Sequence, residues 1–262
     1  MTDGSLVVRA TRTDLDITDL KAACAVVAEV GPDVVINAAA NTDVDGCETK
    51  PEAAFRVNAL GARNLAVASR QVDAKIVHIS TDYVFDGKKA EPYLEDDSPN
   101  PINVYGRSKL LGERLVREQN PCHFVLRVAW LYGRTGRNFV HTMLSLGKKQ
   151  SEVQVVNDQW GTPTAARDVA RQAARLMETE LYGLYHCTSQ GSCTWYEFAL
   201  EIFRVAGMQV HVVPTSSTAF PRPAPRPTYT VLDNFLLRAE GLDQMPHWRE
   251  SIAEFLAESG PG

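Results

Sequence analysis

The sequence predicts an α/β fold built on a doubly wound parallel sheet, with a smaller lobe formed by the C-terminal part of the chain. Short β-branched runs alternate with longer helical runs over residues 5–149. The run at 33–40 is almost continuously apolar, as in a parallel strand that is covered on both faces. Such alternation favours right-handed crossovers between parallel strands. We therefore divide the chain into residues 1–150, which carry the sheet, and residues 151–262, which form mainly the lobe and interleave with the sheet.

The composition is that of a globular protein and argues against several functional classes. The 262 residues are 44% hydrophobic and 23% charged, and the net charge of −5 speaks against a dedicated nucleic-acid surface. No run of about 18 apolar residues predicts a membrane span. The start lacks the pattern of a signal peptide, and the five cysteines form no CxxC pair. We therefore expect a cytoplasmic protein with free thiols and no metal site.

The first half contains the elements of the predicted sheet. Residues 5–12 are predicted as a strand, and residues 16–31 as a helix with Asp16 or Thr18 as N-cap and Gly31 as its stop. A strand at 33–40 follows. The remaining elements of this half are a helix at 51–71, a strand at 75–80, a helix at 104–119, a strand at 123–133 and a helix at 138–149.

The second half has a less regular pattern. Residues 153–178 predict a strand, a turn and a helix, and residues 183–189 another strand. An amphipathic helix at 194–207 would be capped by Thr194. Residues 214–233 contain five prolines and cannot form regular structure. Because more structure follows, we expect this stretch to be an ordered binding loop.

Tyr105 and Lys109 stand four residues apart in the predicted helix that follows the strand ending in Ser80-Thr81-Asp82. The helix places Tyr105 and Lys109 on one face, and the strand ends at the carboxyl edge of the sheet, where open α/β folds bind ligands. We expect the ammonium to lower the pKa of the phenol. The phenol would then give a proton to a carbonyl oxygen while hydride reaches the carbonyl carbon. Thr81 would bond to the same oxygen. A YxxxK pattern alone arises by chance in many helices. Its position after a strand that ends in Ser-Thr is what favours a catalytic role.

Longer motifs indicate a family. They include "PDVVINAAANTDVDGCE" (32–48), "HISTDYVFDG" (78–87), "YGRSKLLGE" (105–113), "LRVAWLYG" (126–133) and "RPTYTVLDN" (226–234). The chain resembles the extended short-chain dehydrogenase/reductase superfamily and, more narrowly, the dTDP-4-dehydrorhamnose reductase family over nearly its whole length. This resemblance implies a Rossmann-like dinucleotide-binding sheet with a sugar-nucleotide lobe. It also implies NADPH-dependent reduction of the C4 keto group of dTDP-4-dehydro-6-deoxy-L-mannose to dTDP-L-rhamnose, and a homodimer.

The same resemblance implies roles for individual residues. Thr81, Tyr105 and Lys109 would be catalytic. The cofactor would be bound by Asp16 and Ile17 near the adenine, by Asn37, Ala38, Ala39 and Ala40 along the diphosphate and ribose, and by Tyr105 and Lys109. The sugar would contact Val44, Thr81, Asp82 and Trp130, and the substrate diphosphate would contact Arg222 and Arg226. Each has a structural alternative: a tight strand end for the alanines, core packing for Trp130, and loop solvation for the arginines.

The glycine-rich loop that opens such folds is not found before Asp16. By comparison with the family, we expect the functional polypeptide to have about 25 further residues before Met1, forming a strand between those at 5–12 and 33–40. An alternative is a non-catalytic relative, like the regulatory subunit of methionine adenosyltransferase. Another sugar-nucleotide reductase or epimerase is also compatible with the motifs. Arg9 and Arg12 favour NADPH, with NADH as the alternative.

Overall fold

The computed structural model describes residues 6–259 and has the α/β architecture that the sequence predicts. Strands alternate with helices along the first half, and shorter strands occur in the second. The strands are β1 (Val34–Asn37), β2 (Lys75–Thr81), β3 (His123–Val128), β4 (Leu131–Tyr132), β5 (Glu152–Val156), β6 (Trp160–Gly161), β7 (Thr164–Ala165), β8 (Gly183–His186), β9 (Cys193–Thr194) and β10 (His211–Thr215). The α-helices are α1 (Leu20–Val30), α2 (Val44–Thr49), α3 (Pro51–Phe55), α4 (Ala62–Gln71), α5 (Val104–Gln119), α6 (Phe139–Gly147), α7 (Ala166–Met177), α8 (Trp195–Val205), α9 (Phe235–Ala239) and α10 (Trp248–Ser259).

The central sheet is parallel and has the order β1-β2-β3-β8. Its register pairs Asn37 with His78 and Phe124 with Gly183. Because β8 belongs to the second half of the chain, residues beyond 150 complete the sheet. The carboxyl ends of β1 and β2 lie at the same edge of the sheet. In open α/β folds, ligands bind at this edge.

The predicted strand at 5–12 is wrong over residues 6–12, since these residues form no strand. Leu6 is 91% exposed, and Val7 and Val8 are also exposed. A strand is stable only when its backbone groups pair. Among residues 6–259, β1 pairs with β2 alone and its other edge has no strand partner. Ile36 of β1 is 53% exposed, as expected at such an edge.

Two element ends near the start also differ from the prediction. Helix α1 begins after Asp19, whose carboxylate accepts hydrogen bonds from the N–H groups of Lys21 and Ala22, so neither Asp16 nor Thr18 is the N-cap. The Asp16 carboxylate instead accepts from the Thr18 N–H at 2.9 Å within a turn. The helix ends at Gly31 in the left-handed conformation (φ 55°), which confirms the predicted stop. Strand β1 ends at Asn37, which leaves residues 38–40 outside the sheet.

The predicted helix at 51–71 is helical throughout but contains a π-helical segment, Arg56–Gly61. This wider turn carries Asn58, which is buried. Its side chain accepts from the Asn41 N–H at 2.7 Å and donates to the Asn41 carbonyl at 3.1 Å and to Ser108 Oγ at 2.9 Å. Asn58 thus ties the segment after β1 to helix α5. π-segments of this kind often lie at functional sites.

The C-terminal elements cover one end of the sheet. Strand β10 pairs in parallel with β5. Helix α8 begins after the predicted N-cap Thr194, which also forms a capping box with Glu197. The proline-rich stretch is an ordered loop, as expected, since the Tyr93 N–H donates to the Val231 carbonyl and the Trp160 N–H to the Thr228 carbonyl. The predicted strand at 123–133 is interrupted at Trp130, whose φ of 45° is incompatible with a strand.

The described part of the chain contains neither a membrane-spanning helix nor a cluster of metal ligands. No helix there combines the length and apolar character needed to cross a bilayer. No group of three or more His, Cys, Asp or Glu side chains there could hold a metal ion. All five cysteines are free thiols.

Candidate active site

Helix α5 packs closely against the turn after β2 and against the π-helical segment because two of its residues are glycine. A Cβ on Gly106 would lie 2.1 Å from the Tyr83 carbonyl oxygen, and one on Gly112 would lie 2.3 Å from the Asn58 carbonyl oxygen. Both distances are far below contact, so larger residues would push the helix away. The glycines therefore set the position of Tyr105 and Lys109 against the strand.

Thr81 and Tyr105 meet at the carboxyl edge of the sheet. Thr81 is the last residue of β2, and its Oγ1 donates to Asp82 Oδ1 at 3.0 Å. The half-buried Tyr105 ring packs edge-on against Tyr83, with ring centroids 5.8 Å apart. Burial raises the pKa of Tyr105, and hydrogen bonding with Thr81 opposes that rise. The phenol therefore keeps its proton at neutral pH and is available as a proton donor.

Lys109 is buried and turns toward β2. Its Nζ donates to the Ile79 carbonyl at 2.5 Å and lies 3.4 Å from His78 Nε2. Burial lowers the pKa of Lys109 to about 8, and the Glu113 carboxylate opposes this shift. The expectation that the ammonium lowers the pKa of Tyr105 is wrong for this structure, because desolvation dominates and the ammonium is directed at Ile79 and His78.

Asp82 is buried beside the Thr81 and Tyr105 hydroxyls, and one of its carboxylate oxygens is left without a partner in the described part of the chain. Its Oδ2 has no hydrogen-bond partner among residues 6–259. Burial raises the pKa of Asp82 to about 6, with hydrogen bonds from Thr230 and Thr81 opposing the shift. A buried acceptor without a partner is costly, so Oδ2 is suited to receive a hydroxyl from a ligand.

The cofactor residues implied by the sequence lie on the segments that lead into and out of α1 and β1. Asn37 is buried at the end of β1, Ala38 and Ala39 are exposed, and Ala40 is half-buried. The small side chains leave the backbone at this edge open to a diphosphate, so these residues fit the ribose and diphosphate of a nicotinamide cofactor. Asp16 is exposed, while the Ile17 carbonyl accepts from Asn64 Nδ2 at 2.9 Å and is fixed to helix α4.

Trp130 forms an aromatic wall held in one orientation. Its ring stacks on Trp195 with centroids 3.5 Å apart and an interplanar angle of 6°. A Cβ on Gly161 would lie 2.3 Å from the Trp130 ring, so only glycine fits beneath it. Trp130 is half-buried, and positive φ is rare for so bulky a residue. Such strain is typical of a functional position and favours the pocket over simple core packing.

The proline-rich loop is attached to helix α2 by one carboxylate. Asp45 Oδ1 accepts from Arg226 at 2.6 Å, and Arg222 lies 3.7 Å from Asp45 Oδ2. The Arg226 side chain is 19% exposed and that of Arg222 is 65% exposed. Since Val44 precedes Asp45 and is half-buried, the loop arginines lie beside the predicted sugar-contacting residue.

Beneath the site, a buried ion pair joins α5 to the sheet. Arg127 of β3 donates to both Glu113 carboxylate oxygens, at 3.0 and 2.8 Å, and Ser80 Oγ donates to Oε1 at 2.5 Å. Glu113 stands one helical turn after Lys109. The pair therefore fixes the helix that carries the catalytic residues.

Sequence reasoning and structure agree on the centre of the site. The structure brings Thr81, Asp82, Tyr105 and Lys109 together, and it places Val44 near Arg222 and Arg226 through Asp45. His78, Asp45 and the Glu113–Arg127 pair were missed. His78 lies in an apolar strand, and Glu113 and Arg127 lie on separate elements, so no local pattern marked them. The alternation of strand residues gave the one available signal, since His78 and Ser80 share a face.

Comparisons with known proteins identify the family of the chain. The chain matches the RmlD substrate binding domain over residues 1–260. It is 45% identical to a dTDP-4-dehydrorhamnose reductase of Streptomyces griseus, over 96% of this chain and 85% of the relative. The crystal structure of a dTDP-4-dehydrorhamnose reductase from Clostridium acetobutylicum superposes with a TM-score of 0.96 and 46% identity, covering 98% of this chain and 91% of the other.

A second solved structure is the dTDP-4-dehydrorhamnose reductase of Bacillus anthracis in complex with NADP. It has a TM-score of 0.93 and 46% identity, and the match covers 94% of this chain and 88% of that chain. Sequence motifs, the parallel sheet and the Thr81–Tyr105–Lys109 site thus lead to one conclusion: the chain belongs to the dTDP-4-dehydrorhamnose reductase family, through its RmlD substrate binding domain.

Proposed function

We propose that the protein reduces the C4 keto group of dTDP-4-dehydro-6-deoxy-L-mannose to give dTDP-L-rhamnose, with NADPH as cofactor. The observation that carries this proposal is the set of Thr81, Tyr105 and Lys109 at the end of β2, with a phenol that burial keeps protonated. Relatives that are called dTDP-4-dehydrorhamnose reductases support the substrate class. No feature of the site favours the alternative of a non-catalytic regulatory subunit.

Thr81, Tyr105 and Lys109 would have different roles in the reduction of the keto group. Thr81 Oγ1 and the Tyr105 hydroxyl would both donate hydrogen bonds to the keto oxygen. Tyr105 gives its proton to that oxygen as the carbonyl carbon becomes tetrahedral. Lys109, as an ammonium, would contact the nicotinamide ribose, since in the ligand-free structure its charge is directed at Ile79 and His78 rather than at Tyr105. Bound NADPH would supply the hydride. As the pH rises through about 8, Lys109 loses its charge and this contact weakens.

Substrate recognition would use both polar and aromatic contacts. Asp82 Oδ2, the unused buried acceptor, would receive a sugar hydroxyl. Trp130 and Val44 would form the apolar walls of the sugar pocket. Arg222 and Arg226 would hold the diphosphate, because a planar guanidinium matches phosphate oxygens with two hydrogen bonds. In the ligand-free structure both guanidinium groups lie beside the Asp45 carboxylate, so the two arginines are already close together.

Cofactor placement follows from the open edge beyond β1. Asn37 and Ala38 to Ala40 would border the ribose and diphosphate, Tyr105 and Lys109 the nicotinamide ribose, and Asp16 and Ile17 the adenine. The NADP in the Bacillus anthracis relative supports NADPH over NADH. Arg9 and Arg12, both exposed, are the candidate partners of a 2′-phosphate. The proposal includes a cytoplasmic homodimer, which light scattering on the purified protein would test.

A panel of sugar nucleotides tests the substrate class. We expect dTDP sugars to raise the melting temperature more than UDP or GDP sugars, because a ligand that binds only the folded state stabilises it. Loss of NADPH absorbance with the 4-keto substrate would then report turnover. Stabilisation by another protein, without any response to nucleotide sugars or NADPH, would replace this function with the regulatory role.

Arg226 gives a sharper test of the diphosphate contact. Replacing Arg226 with Met should weaken dTDP binding by about 10-fold or more, since a hydrogen bond to a charged group contributes about 1.5–3 kcal/mol. Calorimetry with dTDP would measure the loss. Arg238→Met is the matched control, because Arg238 lies on helix α9 and pairs with Asp233, the last residue of the 214–233 stretch, rather than with Asp45. Equal binding by the two variants would remove Arg226 from the substrate site.

A further inference from the structure

Three polar side chains form a buried row that leads from β1 to the catalytic helix. The sheet register sets Asn37 opposite His78, and Asn37 Nδ2 lies 3.0 Å from His78 Nδ1. On the other side of the ring, His78 Nε2 lies 3.4 Å from Lys109 Nζ. Asn37, His78 and Lys109 are all almost fully buried. Water therefore does not screen this row, and the proton positions within it matter.

The orientation of the Asn37 amide defines the tautomer of the ring. Asn37 Oδ1 accepts from the Ala39 N–H at 3.1 Å, so the amide directs Nδ2 at His78. An amide nitrogen only donates, which makes Nδ1 of His78 the acceptor. Burial holds the pKa of His78 well below its ordinary value, and the Lys109 charge adds to this shift, so the ring is neutral. A neutral ring that accepts at Nδ1 carries its proton on Nε2.

The Nε2–H therefore faces Lys109. When Lys109 is an ammonium, two donors oppose each other across 3.4 Å, and when it is a free amine, the ring donates to its lone pair. On the same helix, the Glu113 carboxylate raises the pKa of Lys109 and so favours its charged form. Glu113 is itself paired with Arg127 of β3. The charged or titratable groups on neighbouring elements that act on the pKa of Tyr105 are Asp82 and Cys47.

We propose that His78 is a positioning residue for Lys109: held by Asn37, it presents Nε2–H to Nζ, keeps the side chain on the Ile79 carbonyl and disfavours the charged form. Glu113 and His78 then act in opposite directions on one buried amine. Burial lowers the pKa of Lys109 to about 8, Glu113 opposes this shift, and the Nε2–H of His78 adds to the lowering. Its consequence for catalysis rests on the proposed function, whereas its physical basis is a property of the ligand-free protein.

The first test needs only the unaltered protein. Long-range proton–nitrogen NMR of the His78 ring should show a protonated Nε2 and a bare Nδ1 below pH 7. The ring signals should change again as Lys109 titrates near pH 8. The Lys109 signal is assigned by its absence in Lys109→Met. A ring with its proton on Nδ1 throughout would overturn the proposal.

The second test removes the ring. In His78→Gln the amide can turn its oxygen toward the ammonium, so the Lys109 midpoint should rise by about one pH unit. The alkaline limb of kcat/KM should move in the same direction. His186→Gln is the matched control, because His186 is also fully buried and neutral but bonds to the Asp233 carbonyl.

The outcomes separate this proposal from the proposed function. A Lys109 midpoint that stays fixed in folded His78→Gln, or that moves equally in His186→Gln, would refute the role of His78. A shifted midpoint in a protein without reductase turnover would support the role of His78 and count against the proposed reaction. If His78→Gln does not fold, the tautomer of the unaltered protein decides.

Discussion

Replacing Tyr105 with Phe should lower kcat by about 100-fold or more, the usual contribution of a positioned general acid. The ring is kept, so its edge-on packing against Tyr83 survives and the fold should not change. Only the proton that the keto oxygen needs is lost. Steady-state kinetics with NADPH and the 4-keto substrate would measure the effect, with circular dichroism to verify folding. Cofactor affinity should change far less than kcat.

Tyr132→Phe is the control for this experiment. Tyr132 is also buried, but its hydroxyl donates to Ser251 Oγ of helix α10 at 3.1 Å and has no proposed contact with the keto oxygen. The same chemical change there should leave kcat unchanged. If Tyr105→Phe turns over at a similar rate to Tyr132→Phe, Tyr105 is not the proton donor.

Replacing Glu113 with Ala should lower the free energy of unfolding by about 3–5 kcal/mol, the range for breaking a buried ion pair from one side. Arg127 would remain buried with its charge uncompensated, and its Nη1 has no hydrogen-bond partner within residues 6–259 even in the intact pair. Typical domains are stable by about 5–15 kcal/mol, so the loss is a large fraction of the total. Urea unfolding would measure it.

Glu258→Ala provides the comparison. Glu258 also pairs with arginines, at 3.0 Å from Arg134 and 2.6 Å from Arg167, but it lies on the surface, where solvent screens the charges. Its unfolding midpoint should stay near that of the unaltered protein. A Glu113→Ala midpoint equal to that of Glu258→Ala would mean that the buried pair does not hold α5 to the sheet.

Much of the fold could be predicted because local patterns agreed with it. Helix α5 has the predicted bounds, Thr194 caps α8, and Gly31 ends α1, since each depends on periodicity or on a capping residue that the sequence shows directly. The strand predicted at 5–12 failed because a strand also needs a partner, which no local pattern supplies. The π-helical turn at Asn58 escaped prediction for a similar reason, since it depends on contacts with Asn41 and Ser108.

The same distinction holds for the active site. The order of residues was sufficient to predict that Thr81, Tyr105 and Lys109 lie near one another, because helical spacing and the strand end are local properties of the chain. Only the folded structure decided how these groups are charged. Burial raises the pKa of Tyr105 and lowers that of Lys109, and the Asn37–His78 row and the Glu113–Arg127 pair come from elements far apart in sequence. Desolvation and buried ion pairing depend on all the neighbours in space, and no spacing along the chain encodes them.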